Sequence, residues 1–176
     1  MRLPRLLLLS LAALALPAPA LLAQAAGREP DLSWRPVATG RLDADAAVDV
    51  IWRHDATGEL RAWLMNGAAK AAESRLSPEA VPDLNWRLVG AADFDGDGRT
   101  DLVWRHQLSG RNVVWRLGGL IRVSGEFTTP STLVDPNWQV VGVAGVGTST
   151  SDPTADGRPD LLWRHALSGR NVVWFM

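Results

Sequence analysis

Nine tryptophans in the 176-residue chain fall on one repeating grid, and this grid limits the fold more than any other feature. Trp34, Trp86 and Trp138 are 52 residues apart. A second tryptophan follows each after 18, 18 and 25 residues, and a third comes 11 residues later in every copy. All three histidines share the grid, each in a Trp-Arg-His triplet: His54, His106 and His165. The lead-ins match too, as "DLSW", "DLNW" and "DPNW". Self-similarity at such a period marks a repeat architecture, in which one unit cannot bury both its faces and the copies must stack. The third copy carries an insertion of seven residues, "GVGTSTS", ahead of its second tryptophan.

Each copy reads as β-structure. "DVIWRH", "DLVWRH" and "DLLWRH" are short apolar and aromatic runs bounded by turn residues. Gly58, Gly110 and Gly169 follow in "ATGEL" and twice in "LSGRN", where tight hairpins are expected. "VVW" opens a returning strand, and "GLIRVSGEF" completes the unit. "NGAAKAAESRLSPEAV" reads equally as a strand or a short helix. Four short strands per unit is the size of a propeller blade. The expected fold is therefore all-β: β-propeller-type four-stranded blades, about three repeats, forming an incomplete or open propeller. The units are residues 31–82, 83–134 and 135–176, the last cut short before its outer strand.

Residues 1–25 have the three parts of a secretory signal: Arg2 and Arg5, an apolar Leu6–Leu16, and Ala23-Gln24-Ala25 as a cleavage site. The apolar run is too short to span a bilayer. The expected location is extracellular or periplasmic, with no membrane span. The rest is mildly acidic, which does not favour nucleic acid as a partner. There are no cysteines, so no disulfide staples this exported chain. A metal ion is the natural substitute.

"DFDGDGRTD", residues 93–101, supplies such a site. Carboxylates at positions 1, 3 and 5 of a curled loop converge, and glycine at position 6 permits the turn, as in calcium loops. The ligands expected for Ca²⁺ are Asp93, Asp95, Asp97, the Arg99 backbone carbonyl and Asp101, and hard oxygen donors suit that ion. The other copies depart from this pattern. In "RLDADAAVD" Arg41 and Ala46 replace the first aspartate and the glycine, while Asp43, Asp45 and Asp49 remain. Arg41 reads either as an internal cation standing in for the metal or as a surface side chain near carboxylates. "DPTADGRPD" offers a weaker set: Asp152, Thr154, Asp156 and Asp160.

With these residues in view, "VGAADFDGDGRTDLVWR", "LMNG" and "WRH…SGRNVVW" resemble the FG-GAP-like repeat, also called the VCBS repeat, of secreted bacterial proteins. The unit is also similar to blades of the integrin α-subunit head and of some fungal lectins. The resemblance implies a propeller blade with calcium between its first and second strands. It implies a binding or adhesion module for a carbohydrate or a surface protein. The alternative is an accessory or remnant propeller segment of a larger secreted hydrolase. Three copies are fewer than a closed ring needs, which points to a fragment, to open blades, or to self-association that completes a ring. The sequence contains no Gly-x-Ser-x-Gly, His-Glu-x-x-His or phosphate loop, and its histidines recur as framework residues. A non-enzymatic role is expected.

Overall fold

The computed structural model describes residues 31–145 and 157–176, and the expected signal segment 1–25 lies outside them. Eleven strands and no helix are present among the described residues. They are β1 (Trp34–Gly40), β2 (Asp49–His54), β3 (Glu59–Asn66), β4 (Ala69–Ala80), β5 (Trp86–Ala92), β6 (Asp101–His106), β7 (Arg111–Gly118), β8 (Ile121–Thr132), β9 (Trp138–Ala144), β10 (Asp160–His165) and β11 (Asn171–Trp174). The three Trp-Arg-His runs are β2, β6 and β10. The segment that read as strand or helix is β4. No helix among the described residues is long and apolar enough to cross a membrane.

Strands β1 to β4 pair antiparallel in chain order, and so do β5 to β8. One parallel bridge, Ser77 to Ile121, joins β4 to β8, giving an eight-stranded sheet of order β1-β2-β3-β4-β8-β7-β6-β5. This sheet is nearly closed and barrel-like, because its edge strands β1 and β5 come to lie beside each other. Strands β9 to β11 form a separate three-stranded sheet, and β9 packs against β5. The hairpin glycines expected from sequence sit between β2 and β3, β6 and β7, and β10 and β11. Their φ angles of 72°, 70° and 72° are ones that side chains rarely tolerate.

The central strand β6 shows how the copies stack. Successive side chains of a strand point to opposite faces. Leu102 and Trp104 join a core with Leu42, Ile51, Leu60 and Ala62 of the first copy. Val103, between them, joins Phe94, Val114, Leu161 and Trp163 in a second core. Trp104 and Trp163 are 1 % and 0 % exposed. Burying an indole removes some 150–250 Å² from water, worth at most about 4–6 kcal/mol. None of the nine tryptophans is exposed. They pair as Trp52–Trp63, Trp104–Trp115 and Trp163–Trp174 with ring centroids 4.5, 5.0 and 4.7 Å apart. The grid is a packing device.

Strands β1, β5 and β9 line one open cleft of about 350 Å³ through Val37–Thr39, Leu88–Ala91 and Val140–Val143. Gly90 is required there: a Cβ on it would come within 2.3 Å of Val143 Cγ2.

Candidate metal centre

The acidic loop between β5 and β6 is organised by its own first residue. Asp93 Oδ1 accepts from the amides of Asp95 (3.3 Å) and Gly96 (2.6 Å), and Oδ2 accepts from Gly98 (2.8 Å). Gly96 and Gly98 take φ of 81° and 84°, the left-handed turns that the sequence motif requires. The curl draws oxygens of Asp93, Asp95 and Asp101 to within 4.8 Å of one another. Asp97 is not in this group; its Oδ1 accepts from the Arg99 amide at 2.8 Å. Arg99 is exposed on the outer turn.

Asp101 has a second task that sequence reasoning missed. It is fully buried, and its two oxygens accept from the amides of Phe94 (2.9 Å) and Leu117 (2.8 Å). It therefore ties the start of the loop to the end of β7. Asp49 does the same in the first copy, accepting from Leu42 (2.9 Å) and Met65 (2.9 Å). Asp160 accepts from Met176 at 3.2 Å. The signal was legible in the sequence: the ninth loop position is aspartate in all three copies, including the two that depart from the calcium pattern. Burial pushes the Asp101 carboxyl up, against the pull of its two amide partners, and the charges of Asp95 and Asp97 push it further.

A cation fits this arrangement. Three carboxylates converge on one point, and among the described residues no lysine or arginine pairs with Asp93, Asp95 or Asp101. The donors are all hard oxygens, which excludes a preference for soft metals. In the first copy Arg41 is exposed and forms no ion pair with Asp43, Asp45 or Asp49, so the structure favours the surface reading of that arginine. Its backbone instead joins the two loops: the Arg41 amide donates to Thr100 Oγ1 (2.9 Å), and the Thr100 amide donates to the Arg41 carbonyl (3.0 Å). Of the third set, Asp152, Thr154 and Asp156 lie outside the described residues, and Asp160 is buried.

The histidines form a second repeated arrangement. His106 Nε2 lies 3.0 Å from Asp83 Oδ2, and Nδ1 accepts from the Ser109 amide (3.0 Å) with Ser109 Oγ at 2.9 Å. This places an aspartate, a histidine and a serine in line, the composition of a hydrolytic triad. The Nδ1 lone pair, however, is held by a backbone N–H of the hairpin turn. The same clamp recurs as Asp135–His165 (2.9 Å) with the Ser168 amide (3.0 Å), and as Asp31–His54 (3.6 Å) with the Thr57 amide (3.2 Å). Each histidine also meets the leading tryptophan edge-on, at 5.0–5.1 Å. The carboxyl of Asp83 is held low by the Asn85 amide, the Asn85 side chain and His106, and that of Asp135 by the Asn137 amide, His165 and the Asn137 side chain. A repeated clamp of lead-in, histidine and turn is a structural element.

The family model of the FG-GAP-like repeat matches residues 41–104, which run from the first acidic loop through the second to Trp104. No curated protein and no solved structure matches the chain.

Proposed function

From the premise that residues 41–104 belong to the FG-GAP-like repeat family, we propose that the protein is a secreted, calcium-braced β-propeller-type module. In this reading it comprises three blades, binds a carbohydrate or an extracellular protein, and catalyses no reaction. Calcium rests on one observation: Asp93, Asp95 and Asp101 converge within 4.8 Å, and among the described residues no lysine or arginine pairs with them. The bound ion would supply positive charge and a cross-link between the two ends of the loop. Asp93 and Asp95 would hold it from the curl, and Asp101 from the wall of the core. The blade reading is supported by the antiparallel chain order of β1–β4 and β5–β8 and by the meeting of β1, β5 and β9 at one cleft. The non-catalytic reading is supported by histidines whose ring nitrogens are engaged in the framework.

The test is thermal unfolding with calcium and with EDTA. Calcium should raise the midpoint of the native protein, and Asp95→Ala should remove the difference between the two conditions. A native protein that melts identically in both would sink the calcium brace.

A further inference from the structure

The copies repeat one junction, so each surface can be compared with its counterparts. At the first junction the buried Arg53 donates to the carbonyls of Val81 (3.0 Å) and Trp86 (2.6 Å) and lies 5.5 Å from the centroid of Trp104. At the second, the buried Arg105 donates to the carbonyls of Leu133 (2.8 Å) and Asp135 (3.2 Å) and lies 5.0 Å from that of Trp163. Beside it Val103, Asn112 and Val114 are 0 %, 0 % and 5 % exposed, and the two valines pack with Leu161 and Trp163 of the third copy.

The third copy presents the same surface uncovered. The β6–β7 and β10–β11 registers correspond residue for residue, so Leu162, Arg164, Asn171 and Val173 occupy the places of Val103, Arg105, Asn112 and Val114. Arg164 keeps the internal bond to Asn171 Oδ1 at 3.2 Å, as Arg105 keeps its bond to Asn112 at 3.2 Å. Yet Arg164 and Asn171 are exposed, and Leu162 and Val173 are only partly buried. The hairpin glycines agree. A Cβ on Gly58 or Gly110 would strike a linker carbonyl at 2.0 or 2.1 Å, whereas on Gly169 its nearest neighbour would be Arg164 Nη2 at 3.8 Å.

The complementary surface stands uncovered at the other end. Trp52 is the counterpart of Trp104 and Trp163 and, unlike them, is partly exposed. Leu32, the counterpart of the half-buried Leu84, is 84 % exposed. The molecule therefore carries both halves of its own junction.

We propose that these two faces bind each other between two copies of the chain, head to tail. Arg164 of one copy lies over Trp52 of the other and donates to the Trp34 carbonyl, as Arg53 does to that of Trp86. The surfaces differ, so the contact is heterologous and must close on itself to avoid growing into a filament. Two copies place six units in the ring, within the four to eight of closed propellers. The central cleft becomes a channel lined by six strands. The exposed apolar residues that an open arc would leave on these faces are buried by the closure. The carboxylate cage of Asp93, Asp95 and Asp101 belongs to the second copy, which presents neither of the two uncovered faces, so dimerisation is independent of calcium at that loop.

Sedimentation of the protein, in calcium and in EDTA, tests this. A discrete dimer is expected in both. Arg164→Glu and Trp52→Glu should each sediment as folded monomers, and their equimolar mixture, which regains one intact junction, should form a dimer. Leu32→Glu, at an exposed position on the same face, replaces Trp52→Glu if that variant does not fold. A monomeric native protein, variants that dimerise alone, or a mixture that stays monomeric would each overturn the proposal.

Discussion

Loops 41–49 and 93–101 occupy the same place in successive copies, and they share one half of their construction but not the other. Both end in a buried aspartate that bonds two backbone amides, one near the start of the loop and one on the strand after the hairpin. Only the second loop has a first-position aspartate to collect three amides and curl the chain. Arg41 cannot accept hydrogen bonds, so the first loop keeps only the caps that both loops share: Asp43 and Asp45 accept from the amides of Asp45 (2.9 Å) and Ala47 (2.7 Å), as Asp95 and Asp97 accept from those of Asp97 (3.2 Å) and Arg99 (2.8 Å). The brace and the cage are therefore separable. A copy can lose the ion site and keep the tie that closes it into the core.

The largest effect should come from the shared half. Asp49→Ala and Asp101→Ala each strand two buried backbone amides, at about 1–3 kcal/mol per donor. A loss of about 2–5 kcal/mol is expected for each in EDTA, measured by urea unfolding. The costs should be similar in the two loops because the amide partners are equivalent. A much smaller loss at Asp49 than at Asp101 would mean that the tie matters only where the cage is present.

The unshared half can be transplanted. Arg41→Asp with Ala44→Gly and Ala46→Gly restores the organising carboxylate and the two left-handed positions held by Gly96 and Gly98. Calorimetric titration should then find one more calcium per chain than in the parent. With a dissociation constant on the order of 10⁻⁴ to 10⁻³ M, 10 mM calcium should add about 1.4–2.7 kcal/mol of stability. Unchanged stoichiometry would show that the loop sequence alone does not make the site.

The repeat grid made the strands and hairpins readable in advance, because tryptophan and hairpin glycine recur at fixed intervals. The core faces were not read in advance: β6 is buried on both sides, with Leu102 and Trp104 in one core and Val103 in the other, because a copy lies against each face. Segment 66–81 resisted assignment, since its run of alanines has no strong period; pairing with β3 decides it as β4. In the acidic loop, spacing pointed to Asp93, Asp95, Asp97 and Asp101; oxygens of Asp93, Asp95 and Asp101 lie within 4.8 Å of one another, while Asp97 caps the Arg99 amide. It also left the brace unseen. A carboxylate's long-range partners, such as the Leu117 amide 16 residues away, are written in the tertiary fold and not in the loop. The role of Arg53 and Arg105 was hidden for the same reason, because their partners belong to the next copy.

The smallest effect concerns the charge the cage carries when no ion is bound. Burial, and after it the charges of Asp95 and Asp97, raise the Asp101 carboxyl above its unfolded value, which is near 3.9 for aspartate. A raised acid binds its proton more tightly in the folded chain. Its contribution to stability is therefore fully present below the unfolded value and is lost as pH rises through the higher folded value. In EDTA, Asp95→Asn should lower the Asp101 titration midpoint, followed by the carboxyl carbon resonance in NMR, since one of the repelling charges is gone. Asp43→Asn, in the loop without the cage, should leave that midpoint unchanged. Equal shifts in the two variants would mean that Asp101 responds to the net charge of the whole face, and the distinction between a caged and a merely braced carboxylate would fail.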